Sequence, residues 1–163
     1  MRMSVKQLVY LAVMTALVAV ATLFLHVPIP MTQGYCNLGD GLILCGGALL
    51  GPLAVIPGAL GSALADLILG FGLYVPATAI IKGLMGLTAG TLCLKAEKVW
   101  QRIVWMAVAE AWMVAGYFLF ETCLYGAATA AASLLGNAFQ GVAGLVCGAV
   151  LWPLMGRVRK TLG

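Results

Sequence analysis

Five ionisable side chains lie inside long apolar stretches of this 163-residue chain: Asp40, Asp66, Lys82, Glu110 and Glu121. An ionised group in hydrocarbon costs several kcal/mol unless it is paired or hydrated, so each of the five is a candidate functional residue. Counting about 1.5 Å per residue from the predicted helix ends, four of them fall in the same half of a membrane, and Glu110 alone falls toward the other side. This clustering predicts a polar pocket that opens to one side, because a channel would distribute polar groups across the whole thickness.

Helical spacing aligns further polar groups with these carboxylates. Glu110, Tyr117 and Glu121 are separated by seven and four residues and therefore share one stripe of a helix. Asn137 and Gln140 share a face of the last predicted helix. One wall can thus offer carboxylate and phenol and the facing wall two amides, which would hold a small polar heterocycle through complementary donors and acceptors. Three aromatic side chains are candidates to stack on its ring: Trp112, Tyr74 and Tyr35.

Each of the polar residues also has a structural interpretation. Asp66 and Lys82 can neutralise each other as an ion pair without contacting a ligand. Asp40 follows a turn and can cap the helix that begins there. Asn137 and Gln140 can hydrogen-bond across neighbouring helices.

The composition places these residues in a polytopic membrane protein. Hydrophobic residues make up 63% of the chain and charged residues 9%, whereas soluble domains have about 25% charged residues. Apolar runs separated by turn residues and charges predict six transmembrane helices near residues 7–25, 39–50, 53–70, 77–94, 103–122 and 127–152. The second run is too short to cross alone, so it is expected to tilt or to join the third through the Gly51-Pro52 turn. The predicted fold is all-α, with one six-helix membrane domain over residues 1–163.

The cations flank the apolar runs, a pattern typical of membrane topology and not of nucleic-acid binding. Eight of the nine lie in three groups, which are Arg2 and Lys6, then Lys95, Lys98 and Arg102, and finally Arg157, Arg159 and Lys160. With six spans the three groups fall on one side of the membrane, and the positive-inside rule makes that side cytoplasmic. We therefore expect both termini in the cytoplasm of a multi-pass protein of the bacterial plasma membrane.

The sequence lacks the patterns of common membrane enzymes and metal sites. Its five cysteines show no C-x-x-C spacing and are interpreted as small apolar residues. The chain has neither the Gly-x-Gly-Asp pattern of intramembrane aspartyl proteases nor the Gly-x-Ser-x-Gly context of serine hydrolases, and it has no Walker motif. Glycine pairs four residues apart, such as Gly86 and Gly90, indicate close helix packing within the subunit, with dimerisation as the alternative. We therefore expect a protein that is not an enzyme and has no metal or cofactor.

Several short motifs together resemble one known family. They are Asn37-Leu38-Gly39-Asp40, Gly51-Pro52, Gly61-Ser62-Ala63-Leu64-Ala65-Asp66, Tyr74-Val75-Pro76-Ala77-Thr78 and Ile80-Ile81-Lys82-Gly83. The chain resembles the substrate-binding S components of energy-coupling factor (ECF) transporters, in the branch that is associated with hydroxymethylpyrimidine or vitamin B6 and that carries riboflavin in some family names. Ala12 and Ala16 resemble the Ala-x-x-x-Ala patch on the first helix of these proteins, and Asn137 with Gln140 resembles the polar pair on the last.

The resemblance implies a bundle of six helices that binds a vitamin from the outside. The first helix, including Ala12 and Ala16, would dock onto a transmembrane coupling subunit (EcfT-like) that carries two cytoplasmic ATPases (EcfA-like), which would hydrolyse the ATP. The subunit would then topple in the membrane and carry its closed site to the inside. The expected ligand-binding residues are Asn37, Tyr74, Lys82, Trp112, Tyr117, Glu121, Asn137 and Gln140, and Asp40 and Asp66 have either a structural or a ligand role.

The sequence leaves the identity of the ligand open. The carboxylate, phenol and amide stripe fits a pyridoxine-type ring or hydroxymethylpyrimidine, with riboflavin as the alternative, because similar scaffolds bind different vitamins. A self-contained channel or secondary carrier is the alternative of another class, and an intramembrane enzyme or structural subunit is a third. The lack of an internal inverted repeat counts against the carrier.

Overall fold

The computed structural model describes residues 3–28 and 35–161, and nearly all of them are helical. Six α-helices follow one another within these ranges: α1 Val5–Phe24, α2 Gly39–Leu50, α3 Ser62–Leu69, α4 Val75–Thr88, α5 Val99–Tyr125 and α6 Ala127–Thr161. Two three-residue strands, β1 His26–Pro28 and β2 Tyr35–Asn37, pair antiparallel between α1 and α2. The predicted all-α, six-helix polytopic fold is confirmed, with this short strand pair as an unpredicted addition.

Local sequence signals explain where the helices begin and end. Ser4 and Gln7 form a reciprocal capping box at the start of α1, which satisfies two backbone N–H groups that the helix leaves free. Pro76 lies in the first turn of α4, where a missing N–H costs nothing. Gly70 and Gly126 follow α3 and α5 with φ of 85° and 84°, a conformation that a side chain would strain.

The six helices are unequal in their ability to cross a membrane. Four segments are long and apolar enough alone: Val5–Phe24, Val75–Cys93, Val99–Tyr125 and Ala127–Thr161. The segments Gly39–Ala54 and Pro57–Leu69 qualify only as a pair, and the chain bends by 119° between them. The described residues therefore contain four to five candidate spans, in agreement with the expectation that the second run is too short to cross alone. The reason is length, since the 12 residues of α2 extend for about 18 Å of a hydrocarbon core of about 30 Å.

Helix α2 is the central element of the bundle. Ten of its twelve residues are buried, and it packs most extensively against α6. Its glycines allow this close contact, because a Cβ at Gly41 would strike the side chain of Cys147 and a Cβ at Gly47 would lie 2.8 Å from that of Ala89. A helix with small residues on several faces can approach several neighbours at once.

The predicted close packing around Gly86 and Gly90 is confirmed. A Cβ at Gly86 would meet the carbonyl of Ala54, and a Cβ at Gly90 would meet the carbonyl of Gly51. Gly51 itself has a φ of 60°, a conformation that favours glycine. The turn after α2 therefore requires glycine both at Gly51 and at Gly90, which packs against it. These contacts lie within one subunit.

Described cations from all three flanks lie at one end of the bundle. Lys6 and Arg159 line the same cavity as Leu53, and the guanidinium of Arg102 lies 5.2 Å from the centre of the Trp152 ring. This end is called the cationic end. The strand pair, the C-terminus of α3 and the loop between α5 and α6 lie at the opposite end, which is called the hairpin end.

Replacing Gly90 with alanine should destabilise the protein, because the added methyl group collides with a backbone carbonyl that cannot move without opening the turn. We expect Gly90→Ala to lower the free energy of unfolding by about 1–3 kcal/mol. Gly156→Ala is the matched control, since no atom lies within 4 Å of a Cβ there. Denaturant titration in detergent measures both, and equal stabilities would contradict the close contact.

Candidate functional site

A polar cavity opens at the hairpin end. Its volume is about 20 Å³, roughly the space of one water molecule. Eight side chains from β2, α3, α4, α5, α6 and the turn before α4 line it: Tyr35, Asn37, Asp66, Tyr74, Thr78, Tyr117, Glu121 and Asn137. Every one of them carries a hydrogen-bonding group, and three are phenols that also present a ring face.

Tyr35 closes one edge of the cavity from the strand pair. Its hydroxyl donates to Asp66 Oδ1 at 2.5 Å, and its ring packs 4.9 Å from that of Phe71. Burial raises the pKa of Tyr35 well above its ordinary value, and the charge and hydrogen bond of Asp66 add to the effect. The hydroxyl therefore stays a donor at physiological pH, and the strand pair is held to α3 through it.

The opposite wall centres on Glu121, whose side chain is 1% exposed. Tyr74 donates to Glu121 Oε1 at 3.1 Å, and Ser133 donates to Oε2. Thr78 and Tyr117 share a hydrogen bond of 3.0 Å on the same side of the cavity. Each carboxylate oxygen of Glu121 keeps a second lone pair that a ligand donor can use.

An ion-pair network lies beneath the cavity. The Lys82 ammonium pairs with Asp40 Oδ1, and both side chains are almost fully buried. Gln140 Nε2 donates to Asp40 Oδ2 at 2.6 Å, while its Oε1 accepts from the backbone N–H of Asn37 at 2.8 Å. Asn37 Oδ1 in turn accepts from the N–H of Gly39 at 2.9 Å. The network joins α4, α2, α6 and β2, and it fixes the floor of the cavity.

Glu110 is buried beside this network. Its two carboxylate oxygens have no hydrogen-bond partner among the described residues, and a Cβ at Gly144 would approach both Glu110 and Asp40. The sequence placed Glu110 apart from the other ionisable residues. In the structure Glu110 lies close to Asp40, where Gly144 of α6 leaves room for both side chains.

Comparison with known proteins identifies the scaffold. A family model described as ECF-type riboflavin transporter, S component, matches residues 2–157. The chain belongs to this family. The predicted resemblance is thereby confirmed, and the family is one of transporter subunits.

Two similar proteins align with nearly the whole S component. A protein of Pyrococcus woesei named "Uncharacterized protein in gap 3'region" is 34% identical over 147 residues, which are 90% of this chain and 97% of that protein. The thiamine precursor transporter HmpT of Lactococcus lactis subsp. cremoris is 34% identical over 156 residues, which are 94% of this chain and 90% of that protein.

Five of the eight ligand-binding residues expected in this S component line the cavity: Asn37, Tyr74, Tyr117, Glu121 and Asn137. Lys82 and Gln140 lie below it, where both are bound to Asp40. The cross-helix hydrogen bonding considered for the amides is therefore found for Gln140. Asn137 lines the cavity wall directly.

Two structural interpretations of the carboxylates are corrected. Lys82 pairs with Asp40 and not with Asp66, which instead accepts from Tyr35. Asp40 does not cap α2, because it lies within the first turn, and the residue at the cap position, Leu38, makes no side-chain hydrogen bond there. Both corrections arise from contacts between segments that are distant in sequence.

Trp112 is the one expected ligand residue that points away from the cavity. Its side chain is 56% exposed on the outer face of α5. It follows Glu110 by two residues, and side chains two positions apart on a helix point in nearly opposite directions. Trp112 is therefore not available to stack on a ligand here, whereas Tyr35, Tyr74 and Tyr117 are.

Two polar residues of the site were not predicted as ligand contacts. Thr78 lines the cavity and Ser133 donates to Glu121. Each lies four residues before a predicted site residue on the same helix, Lys82 and Asn137 respectively, so helical spacing could have found both. The residues that the structure describes contain no group of three or more His, Cys, Asp or Glu side chains arranged to hold a metal ion.

The expected docking surface lies on α1. Ala12 and Ala16 are both exposed, on the side of the helix away from the bundle. Large apolar side chains flank them, among them Leu8, Val13 and Leu17. Small residues within such a surface permit another helix to approach closely.

Breaking the buried ion pair should strongly destabilise the S component. Lys82→Met leaves the charge of Asp40 uncompensated, and we expect a loss of about 3–5 kcal/mol in the free energy of unfolding. Adding Asp40→Asn removes that charge and should recover most of the loss. Lys98→Met, at an exposed lysine of the cationic end, is the control. A single Lys82→Met variant as stable as the control would contradict the pairing.

Proposed function

We propose that this chain is the vitamin-binding S component of an ATP-driven ECF importer. It takes up a small heterocyclic vitamin or vitamin precursor from the outside of the cell membrane. The observation that carries the proposal is the cavity at the hairpin end, whose eight lining residues all offer hydrogen-bonding groups within an otherwise apolar bundle. The vitamin is cargo, and the protein requires no cofactor of its own.

The lining chemistry favours a compact ring with several donors and acceptors. Glu121 and Asp66 accept hydrogen bonds from N–H or O–H groups, Asn137 pairs with either kind of group, and the phenol rings of Tyr74 and Tyr117 cover ring faces. Hydroxymethylpyrimidine and pyridoxine both match this description. The relative from Lactococcus lactis is named as a thiamine precursor transporter, which supports the pyrimidine. Riboflavin is the alternative that the family description suggests.

The arrangement of the two ends supports the direction of uptake. The cationic end carries the cations that the positive-inside rule assigns to the cytoplasm, so both termini are cytoplasmic and the cavity faces outward. Ligand entry requires the strand pair to release Tyr35 from Asp66, because their hydrogen bond spans the edge of the cavity.

The partners follow from the family and from α1. An S component acts with a transmembrane coupling subunit (EcfT-like) and two cytoplasmic ATPases (EcfA-like), which hydrolyse the ATP. The exposed surface around Ala12 and Ala16 is the docking surface for the coupling subunit, since it combines small residues with apolar flanks.

Mass spectrometry of the small molecules released from the purified, detergent-solubilised protein tests the function directly. A stoichiometric pyrimidine, pyridine or flavin is the expected result, and titration calorimetry with that compound should give tight binding. A protein that carries no such compound and binds none would refute the proposal. Flux through vesicles that contain this protein alone would point instead to a carrier or channel.

Single substitutions in the cavity should weaken binding without unfolding the protein. We expect Glu121→Ala and Asn137→Ala each to raise Kd by about tenfold to a hundredfold, because each removes a hydrogen bond that is made in a desolvated site. Calorimetry measures the effect. Glu97→Ala, at an exposed carboxylate of the cationic end, should leave Kd unchanged. Unchanged affinity in both cavity variants would refute the site assignment.

A large side chain on α1 should block assembly and spare ligand binding. Ala16→Trp introduces a bulky ring where another helix must approach, so copurification with the coupling subunit and its ATPases should be lost. Ala111→Trp places the same ring at an exposed alanine of α5 and should assemble normally. Normal assembly of Ala16→Trp would place the docking surface elsewhere.

A further inference from the structure

The charged side chains that line the cavity in the described part of the chain are acidic. Of the eight described lining residues, two are carboxylates, Asp66 and Glu121, and none is a lysine or arginine. A third carboxylate, Glu110, is buried below without a hydrogen-bond partner among the described residues. A ligand in this cavity therefore meets acceptors and phenols but no cationic side chain on the walls.

The sequence contains almost no other lysine or arginine that could reach a ligand in the cavity. Lys82 is the single lysine or arginine in residues 7–94, and residues 103–156 contain none. The segment between α1 and α2 also contains no lysine or arginine. The remaining lysines and arginines belong to the three flanking groups of the sequence.

Lys82 is already committed to another carboxylate. Its ammonium pairs with Asp40 and is buried. The Lys82 Nζ lies 5.5 Å from the centre of the Tyr117 ring. Diverting it to a ligand anion would leave Asp40 buried and uncompensated except for one amide hydrogen bond from Gln140, which is unfavourable. His26 does not line the cavity, and its Nδ1 lies 2.7 Å from the carbonyl of Leu23.

We propose that the cavity selects the uncharged or protonated form of its vitamin and rejects phosphate esters of the same ring. This inference rests on the proposed function and specifies its substrate class. A phosphate that enters must give up water in a region of low dielectric while it faces two carboxylates and no available cation. An amino or protonated ring nitrogen, in contrast, gains a charge-assisted hydrogen bond from the same carboxylates. Selectivity of this kind comes from a repulsive element built into the site.

Paired ligands test the selection by charge. Titration calorimetry on the purified protein compares hydroxymethylpyrimidine, pyridoxine and riboflavin, each with its phosphate ester and with its uncharged acetate ester. For the ring that binds, we expect the phosphate ester to bind at least about tenfold more weakly than the acetate ester, which has added bulk at the same position but no charge. Equal affinity of the two esters would overturn the inference and leave the proposed function intact.

Isosteric variants separate charge from shape. Glu121→Gln keeps the side-chain volume and an acceptor but removes one negative charge, so the Kd ratio between phosphate and acetate esters should fall. Asp66→Asn is the second variant should Glu121→Gln fail to fold, and Glu97→Gln at the cationic end should leave the ratio unchanged. A ratio that stays the same in the folded cavity variants would overturn the inference. If the protein binds none of the three vitamins and none of their esters, the proposed function is refuted, and this inference with it.

Discussion

A lysine and an aspartate can remain charged inside a membrane helix bundle only if each meets the other and the remaining lone pairs find donors. Lys82 and Asp40 satisfy this constraint in the structure. Gln140 completes the coordination of Asp40, and its own carbonyl is satisfied by the N–H of Asn37. Three helices and a strand are thereby held in one register. The positions of the residues that line the cavity depend on that register, because several of them lie only a few residues along the chain from a member of the network.

Close backbone packing is the second condition for this arrangement. Helix α2 brings Asp40 to the centre of the bundle only because it is lined by glycine and alanine and can touch α1, α4 and α6 together. A Cβ at Gly144 would lie 2.8 Å from that of Asp40, so α6 needs a residue without a side chain at this contact. The position of Asp40 in the ion pair thus depends on the small residues that let α2 and α6 approach each other.

The sequence predicted the class of fold and much of the cavity, for reasons that are local. Hydropathy marks the helices, and the spacing of Tyr117 and Glu121 places both on one face of α5, as observed. What could not be predicted depends on contacts between distant segments. Lys82 lies 42 residues from its partner Asp40, and no local pattern distinguishes Asp40 from Asp66 as that partner. The strand pair was also not predicted, because each strand has only three residues and leaves no periodic pattern in the sequence.

The path of the chain gives α1 a part in two separate regions. Its exposed alanines lie along its length, and its last residues lead directly into β1, which pairs with the strand that carries Tyr35. A helix of 20 residues is a stiff rod of about 30 Å. One continuous helix thus joins the exposed alanines to the strand pair, whose Tyr35 hydroxyl donates to Asp66 at the edge of the cavity.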